Sequence, residues 1–291
     1  MRGLFGVAGA LVVLVGGATG QEAATFKEYA YKVGDRTRTT KTEDNTTVTT
    51  VEAPGKEQTK KSVKKKKTLV YVTEVVEVGP DATNPAVRRR TYETALEESD
   101  GAETKLPLHG KTVTVERRGE KYTFTADGVA LAPAAAKELE SEFTKKGGIG
   151  DHKLFPKTAV KPGDSWDLTE TFLKELDTPD GPFAIAPKGA TATGKLLSTT
   201  RKGPTTFGDI QVSADLPLAE LRGKQPLKLN PVSRWKITLK GSGALDGTVP
   251  EGNSSATMKI VLDATEMGVS VKFDIDVKMT NRTERVGGAK R

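Results

Sequence analysis

The chain has 291 residues, a formal net charge of +7 and no cysteine. The missing thiols exclude disulfide bridges, a lipidated cysteine and thiolate metal sites. Apolar residues make up 35% of the chain and aromatic residues only 5%, which disfavours a single thick core and favours thin packing against a sheet.

The first twenty residues predict an export signal. Arg2 gives a positive start, residues 4–15 form an apolar run with glycines, and residues 18–20 are small, as a signal peptidase requires. A retained membrane anchor is the alternative, but the run is shorter than the roughly 20 apolar residues that cross a bilayer. We therefore expect residues 1–20 to be a signal peptide, with cleavage near Gly20/Gln21 and a periplasmic or secreted mature protein.

Alternating apolar and polar residues dominate the first half of the mature chain and predict β-strands. A strand rich in apolar residues on both faces, 68–78, is expected to lie centrally in its sheet. The strand patterns of this half span residues 26–42, 45–52, 68–78 and 86–96, and a hairpin spans 111–128.

A lysine-rich segment, residues 56–67, precedes the strand at 68–78. It has two interpretations: a surface for nucleic acid or another polyanion, or the start of an edge strand whose lysines discourage aggregation. No aromatic residues are interleaved to stack on bases. We expect the edge strand and no specific nucleic-acid partner, and we keep an anionic envelope polymer as a candidate partner.

One helix is clearly predicted between the two halves. Pro133 suits a first helical turn, and Ala135, Leu139 and Phe143 share one face of a helix over residues 133–146. A shorter helix is expected at 168–176 and a short turn at 218–223. We expect an N-terminal β-rich half, 21–150, that ends in the main helix, and a C-terminal half, 151–291, that forms one continuous domain with it or a separate one.

The C-terminal half has the clearest strand periodicity. Val271, Phe273 and Ile275 fall on one face of the segment 269–279, and the neighbouring segment 256–265 alternates in the same way. Trp235 alternates with Ile237, which predicts a core position. The whole pattern indicates a mainly β protein whose antiparallel meander forms a curved sheet of half-barrel form or two packed β subdomains.

Few residues indicate chemistry. Gly163-Asp164-Ser165 resembles the motif of the GDSL esterases and lipases, which implies a serine hydrolase using Ser165 as a remote alternative. Serine nucleophiles need a positioned base, and both histidines, His109 and His152, precede Ser165 without a motif around them.

Metal and cofactor motifs are missing as well. Asp274 and Asp276 share a strand face, but Lys272 and Lys278 flank them, so we interpret them as solvated surface residues. We expect no catalytic residue, no cofactor and no metal.

The layout resembles an uncharacterised family of secreted bacterial proteins with an "FP…V.pGDSW" signature. The residues that carry it are Phe155-Pro156, Val160 and Gly163 to Trp166 within "LFPKTAVKPGDSW". A weaker likeness is to the curved half-barrels of the LolA and LppX type, where a sheet with helices in its mouth holds lipid or acyl chains. These resemblances imply export and a β-rich fold.

The function expected from the sequence is that of a non-enzymatic cell-envelope or periplasmic protein that binds an apolar ligand or an envelope component. The alternative is a structural scaffold that binds a partner protein. The first requires an open groove lined by inward strand residues, and the second requires a filled interior and a flat exposed patch.

Overall fold

A computed structural model of the chain describes residues 23–144, 151–223, 226–266 and 268–287. The predicted signal peptide, 1–20, lies outside these residues, and so do positions 145 and 146 of the predicted main helix. The fold below concerns the described ranges alone.

The described residues form one antiparallel sheet of 15 strands together with three helices. The long strands are β1 (Arg36–Glu52), β2 (Thr59–Glu77), β3 (Val87–Ser99), β10 (Thr191–Lys202), β11 (Thr205–Leu221), β13 (Arg234–Ala244), β14 (Gly252–Glu266) and β15 (Val269–Arg285). The short strands are β4 (Ala102–Lys105), β5 (Thr112–Arg118), β6 (Lys121–Ala126), β7 (Val129–Ala130), β8 (Ser165–Asp167), β9 (Phe183–Ile185) and β12 (Leu227–Lys228). The helices are α1 (Pro133–Thr144), α2 (Asp151–Leu154) and α3 (Thr169–Leu176).

The sheet is open and continuous. Its strand order is β7-β6-β5-β3-β2-β1-β15-β14-β13-β11-β10-β8, with β4 beside β3 and with β9 and β12 beside β11. In this order of the described strands, β7 and β8 are the two edges and do not pair with each other. The expected mainly β fold is confirmed: the described strands form one large antiparallel sheet, in agreement with the expected curved sheet of half-barrel form. The division of the chain near residue 150 stays a prediction.

The two halves of the chain are joined by β1 and β15. These strands pair antiparallel from Thr37 opposite Arg285 to Glu52 opposite Ser270. The first and the last long strand therefore lie side by side in the middle of the sheet.

The strand register assigns nearly all buried apolar side chains to one face of the sheet. Phe273 lies opposite Leu262, and Ile237 lies opposite Ala214, so these side chains share a face. We call it the inner face. The outer face carries residues such as Lys272, which alternate with the apolar ones. The alternation predicted for residues 269–279 is thus confirmed.

Each helix of two or more turns covers one end of the inner face. At one end, Leu139 of α1 packs among Tyr71, Tyr92 and Val113 of the sheet. At the other end, α3 packs against β10 and β9, and its buried residue Phe172 joins a core with partners from β9 to β14. The residues of that core include Leu176, Ile185, Ala192, Val212, Ala214, Leu216, Ile237 and Leu262.

Two local predictions are corrected by the structure. The strands predicted separately at 26–42 and 45–52 are one strand, β1, which begins only at Arg36. The turn predicted at 218–223 is wrong, because β11 runs to Leu221 and Glu220 is paired with Ala184 of β9 and Lys228 of β12. Because strands pair with this segment on both sides, its backbone N–H and C=O groups form hydrogen bonds between strands and not the local hydrogen bonds of a turn.

The lysine-rich segment belongs to β2. Among the described strands, residues 59–64 have a ladder partner only in β1, whereas residues 65–77 also pair with β3. The segment thus begins as an edge and becomes interior.

Alanine substitutions at the neighbouring residues Leu196 and Leu197 test which of the two side chains is packed at the inner face. Leu196 is fully buried, whereas Leu197 is 44% exposed at a bulge between β10 and β11. We expect Leu196→Ala to lower the free energy of unfolding by about 2–5 kcal/mol, because it leaves a cavity, and Leu197→Ala to lower it by less than about 1 kcal/mol. Chemical denaturation checks both; equal losses would contradict this assignment of the two side chains.

Candidate functional site

The signature "LFPKTAVKPGDSW" packs against β10 and against the N-terminal segment. Trp166 lies flat against Gly194 of β10, where a Cβ atom would come within 2.2 Å of the indole ring. The Trp166 Nε1 donates a hydrogen bond to the carbonyl oxygen of Leu154 at 2.9 Å. Phe155 stacks on Phe26 with ring centroids 4.6 Å apart. The aromatic residues of the signature are therefore packing residues that hold other segments in place.

Ser165 does not form a catalytic pair with the described histidine. Ser165 is exposed in β8, at one edge of the sheet. His109 accepts a hydrogen bond at Nδ1 from the backbone N–H of Ala95 in β3, at 3.2 Å. Between β3 and β8 lie β2, β1, β15, β14, β13, β11 and β10. The side chain of His152 lies outside the described residues.

An extended N-terminal segment, residues 24–34, connects the two ends of the sheet. Ala24 pairs with Val160 of the signature, and the N–H of Lys27 donates to the carbonyl oxygen of Leu245 at 2.8 Å. The N–H of Tyr31 then donates to the carbonyl oxygen of Ala82, also at 2.8 Å. The segment thereby brings Tyr31 to the end of the inner face that α1 covers.

The middle of the inner face is left partly open. α1 packs chiefly against β6, and α3 packs chiefly against β10 and β9. On β14 and β15, most apolar side chains of the inner face are half-buried, whereas Val277, Leu262 and Ala264 on the same face are fully buried. Several of the half-buried side chains pack against the edge of the core under α3. We call this row the trough; its residues are Ala256, Met258, Ile260, Val271, Phe273, Ile275 and Met279.

A polar cavity of about 170 Å³ adjoins the trough on β15 and β1. Its walls combine hydroxyl groups, an amide and two guanidinium groups. The lining residues are Tyr31, Asp35, Thr37, Thr39, Tyr71, Thr73, Val75, Arg88, Arg90, Asn281 and Thr283.

Arg90 is the most deeply buried charge of the cavity. Its Nη1 donates to both carboxylate oxygens of Glu142, at 3.1 and 3.2 Å, and to the Tyr92 hydroxyl at 3.2 Å. The guanidinium lies 4.1 Å from the ring centroid of Tyr71 and 4.8 Å from that of Phe143. Burial opposes its charge, but Glu142 and the tyrosines outweigh that effect and raise the pKa of Arg90. Such a contact arrangement fixes the guanidinium in place.

Asp35 is held by donors of its own. Its Oδ2 accepts hydrogen bonds from the Tyr29 hydroxyl and from the backbone N–H of Lys32, each at 2.7 Å. The guanidinium of Arg285 approaches its Oδ1 at 3.5 Å. Burial, followed by the hydrogen bond to Asp35, raises the pKa of Tyr29 to about 12. The carboxylate therefore ties the N-terminal segment to the end of β15.

The acidic pair Asp274 and Asp276 lies on the outer face, as the sequence predicted. Asp274 forms an ion pair with Lys272 at 3.4 Å, and Asp276 is exposed. Across the described ranges, no group of three or more His, Asp or Glu side chains could hold a metal ion. No described helix has both the length and the apolar composition needed to cross a bilayer.

The sequence did not locate the cavity or the trough, for different reasons. The trough residues were recognised as inward-facing, but alternation does not distinguish a filled interior from an open one. Arg88 and Arg90 stand in a run of three arginines, a pattern typical of an exposed strand. Only the register of β3 against β5 reveals that two of the three share the face of Val113 and Val115.

Comparison with known proteins gives distant likenesses only. No protein-family model and no curated protein matches the chain. The structure "Lipid-protein interactions in lipovitellin" matches over 90% of this chain at 10% identity and a TM-score of 0.36, and the chain spans only 26% of that protein. A LolA superfamily protein, NE2245 from Nitrosomonas europaea, matches over 81% of this chain and 85% of its own at 7% identity and a TM-score of 0.14.

A third structure is the outer membrane protease OmpT from Escherichia coli. It matches over 87% of this chain and 97% of its own at 12% identity and a TM-score of 0.21. The weak likeness to the LolA type indicated by the sequence is thus found again. Because all three TM-scores lie below 0.5, none of these likenesses carries an argument about the site.

The buried Tyr92 makes the folding stability of the protein depend on pH. Burial raises the pKa of Tyr92 to about 12 from an ordinary value of 10.0, with Arg90 acting in the opposite direction. The unfolded chain therefore loses this proton near pH 10 and the folded chain near pH 12, so the stability contributed by neutral Tyr92 is complete below pH 10 and is lost between the two values.

We expect Tyr92→Phe to be less stable than the parent protein at neutral pH, because it loses the hydrogen bond from Arg90. The difference in free energy of unfolding should shrink by on the order of 2 kcal/mol between pH 10 and 12, since the variant lacks the titrating hydroxyl. Denaturant titrations across this range measure it. A difference that does not change with pH would show that Tyr92 ionises equally in both states.

Proposed function

We propose that the protein is an exported, non-enzymatic component of the cell envelope or periplasm that binds an apolar ligand along the trough. The observation that supports this proposal is the row of half-buried apolar side chains that continues from the core under α3 along β14 and β15, on the same face of the sheet as the core under α1. Apolar surface that stays partly open to water beside a rigid scaffold is typical of ligand sites.

The dimensions of the trough suit an alkyl chain. On β15 it runs from Val271 to Met279, a span of about 27 Å at roughly 3.4 Å per residue. Each buried methylene contributes about 0.8 kcal/mol, whereas association costs at least about 4 kcal/mol. About a dozen methylenes would exceed that minimum cost by roughly 5 kcal/mol.

The scaffold alternative is supported less well. It requires a filled interior and a flat apolar patch for a partner. The large apolar side chains that are strongly exposed lie on separate elements and loops of the described chain: Val33, Val76, Val129, Leu197 and Val232. Single exposed side chains of this kind are ordinary on protein surfaces.

Met279 and Thr280 provide a matched test of the trough. They are neighbours on β15, with Met279 in the trough and Thr280 exposed on the outer face. We expect the parent protein to bind the neutral fluorescent probe N-phenyl-1-naphthylamine. Met279→Lys should weaken this binding at least about tenfold, because a charge then occupies the apolar surface, and Thr280→Lys should leave it unchanged.

Fluorescence titration measures the three dissociation constants, and circular dichroism confirms that each variant is folded. If the parent protein does not bind the probe, or if both lysine variants bind as well as the parent, the trough is not an apolar site and the proposed function is wrong.

Export is tested separately. Expression of the full chain in a bacterial host with an active secretion system should yield a mature protein that begins at Gln21, because residues 18–20 provide the small side chains that a signal peptidase accepts. Intact mass and N-terminal sequencing of the periplasmic fraction check this. A full-length chain that stays in the cytoplasm would contradict it.

A further inference from the structure

Three consecutive arginines of β3 are divided between the two faces of the sheet. Arg88 lies opposite Val115 and Arg90 opposite Val113, so both share the inner face with these core residues. Arg89 lies on the outer face, where it forms a long ion pair with Glu74 at 4.0 Å. Two guanidinium groups are therefore placed at the inner face, in the polar cavity.

Arg88 carries a charge without an acidic partner in the described part of the chain. It is half-buried, and its Nη2 donates a hydrogen bond to the Asn84 side-chain oxygen at 2.6 Å. Its other neighbours are the rings of Tyr31 and Phe143, with centroids 5.9 and 5.7 Å away. Burial lowers the pKa of Arg88, and no described carboxylate forms an ion pair with it. A partly desolvated guanidinium of this kind is stabilised by an anion.

The Nε–H group of Arg90 is a buried donor without a partner among the described residues. Only 6% of the residue is exposed. A buried N–H without an acceptor has lost its hydrogen bonds to water without replacement, which is unfavourable. Native proteins rarely leave such groups unpaired, so an acceptor oxygen of a ligand or of a water molecule would satisfy this N–H.

The carboxylates nearby are already engaged. Asp35 accepts hydrogen bonds from Tyr29 and Lys32, and Glu142 receives both of its bonds from Arg90. The remaining polar groups of the cavity include the hydroxyls of Thr37, Thr39 and Thr73, which can donate to an anion. With a volume of about 170 Å³ the cavity holds several times the roughly 30 Å³ of one water molecule.

A second cavity, of about 200 Å³, is less suited to an anion. Its lining has three carboxylates and two lysines, with one apolar residue. One of these lysines, Lys67, is paired with Glu138 of α1. Its excess of negative charge disfavours an anion, whereas the first cavity has two guanidinium groups and one carboxylate.

The polar cavity lies next to the trough along β15. Asn281 and Thr283 line the cavity, and Met279 is the next residue on the same face. Alternate residues of a strand are about 7 Å apart. Asn281 therefore lies one side chain away from the apolar surface of the trough. The arginines line the opposite side of the cavity on β3, three strands or about 14 Å from β15, so a head group between these two sides lies within reach of both.

We propose that the polar cavity binds the anionic head group of an amphiphile whose alkyl chain lies in the trough. This inference rests on the proposed function and adds to it the charge of the ligand and the direction in which it lies. Arg88 provides the uncompensated charge, and Arg90 provides a fixed N–H donor.

The test compares two ligands that differ only in their head groups. Dodecanoate and 1-dodecanol are each titrated against the parent protein that carries bound N-phenyl-1-naphthylamine, and their dissociation constants are obtained from displacement of the probe. We expect dodecanoate to bind at least about tenfold more tightly, since hydrogen bonds between charged groups are the stronger ones.

Arg88→Gln and Arg89→Gln form a matched pair of variants. Arg88→Gln should abolish the preference for dodecanoate and leave the affinity for 1-dodecanol unchanged, which also shows that the variant is folded. Arg89→Gln should keep the full preference, because Arg89 lies on the outer face. Arg88→Lys, which keeps the charge but not the planar fork, should retain part of the preference.

The outcomes separate this inference from the proposed function. Equal binding of dodecanoate and 1-dodecanol by the parent protein, or loss of the preference in Arg89→Gln, overturns the head-group site while the apolar site stands. Absence of binding by the probe and by both ligands overturns the proposed function itself. Inorganic phosphate and acetate are tested as competitors of dodecanoate. If either competes at a concentration similar to that of dodecanoate, the cavity binds a free anion and the proposed amphiphile ligand is wrong.

Discussion

The pairing of β1 with β15 is the constraint on which the rest of the structure depends. It joins the beginning and the end of the chain, from Thr37 opposite Arg285 to Glu52 opposite Ser270. Without it, the core under α1 and the core under α3 would belong to two separate sheets, each with a long exposed edge. With it, the two cores lie on one face, and the strands between them form a continuous surface.

The open middle of that surface follows from where the helices stand in the chain. α1 follows the strands at one end of the sheet, and α3 follows β8 at the other. With 12 and 8 residues they are about 18 and 12 Å long. Neighbouring strands are about 4.8 Å apart, so each helix spans only a few strands. The core under α3 includes Leu262 and Ala264 near one end of β14, and most other apolar side chains on the inner face of β14 and β15 are only half-buried.

Sequence reasoning recovered what depends on local pattern. The alternation of Phe273 and Ile275 and the start of α1 at Pro133 were predicted and are observed, because they follow from strand and helix periodicity. The pairing of β1 with β15 was not predicted, because nothing within either segment specifies a partner more than 200 residues away. The position of Trp166 against Gly194 likewise depends on a contact between separate strands.

The arginines show why the site was harder to predict than the fold. A polar run such as residues 88–90 indicates an exposed strand, and for Arg89 that interpretation holds. Arg90 is buried because aromatic rings and Glu142 compensate its charge. Tyr92 stands close to Arg90 in the sequence, but the other compensating groups come from β2 and α1, so the sequence around Arg90 contains little sign of them.

The composition of β15 on its inner face also sets the direction of the site. Ile275 and Met279 are followed on the same face by Asn281 and Thr283, and the paired strand β14 changes at the same level, from Ala256 to Ser254. Polar side chains of a filled core would need partners for every donor and acceptor. A change from apolar to polar residues at one level on neighbouring strands instead marks the point where the inner face meets water or a polar ligand group. In the binding mode that we propose, the apolar part of the ligand is directed toward Phe273, and its polar part toward Asn281 and the arginines across the cavity.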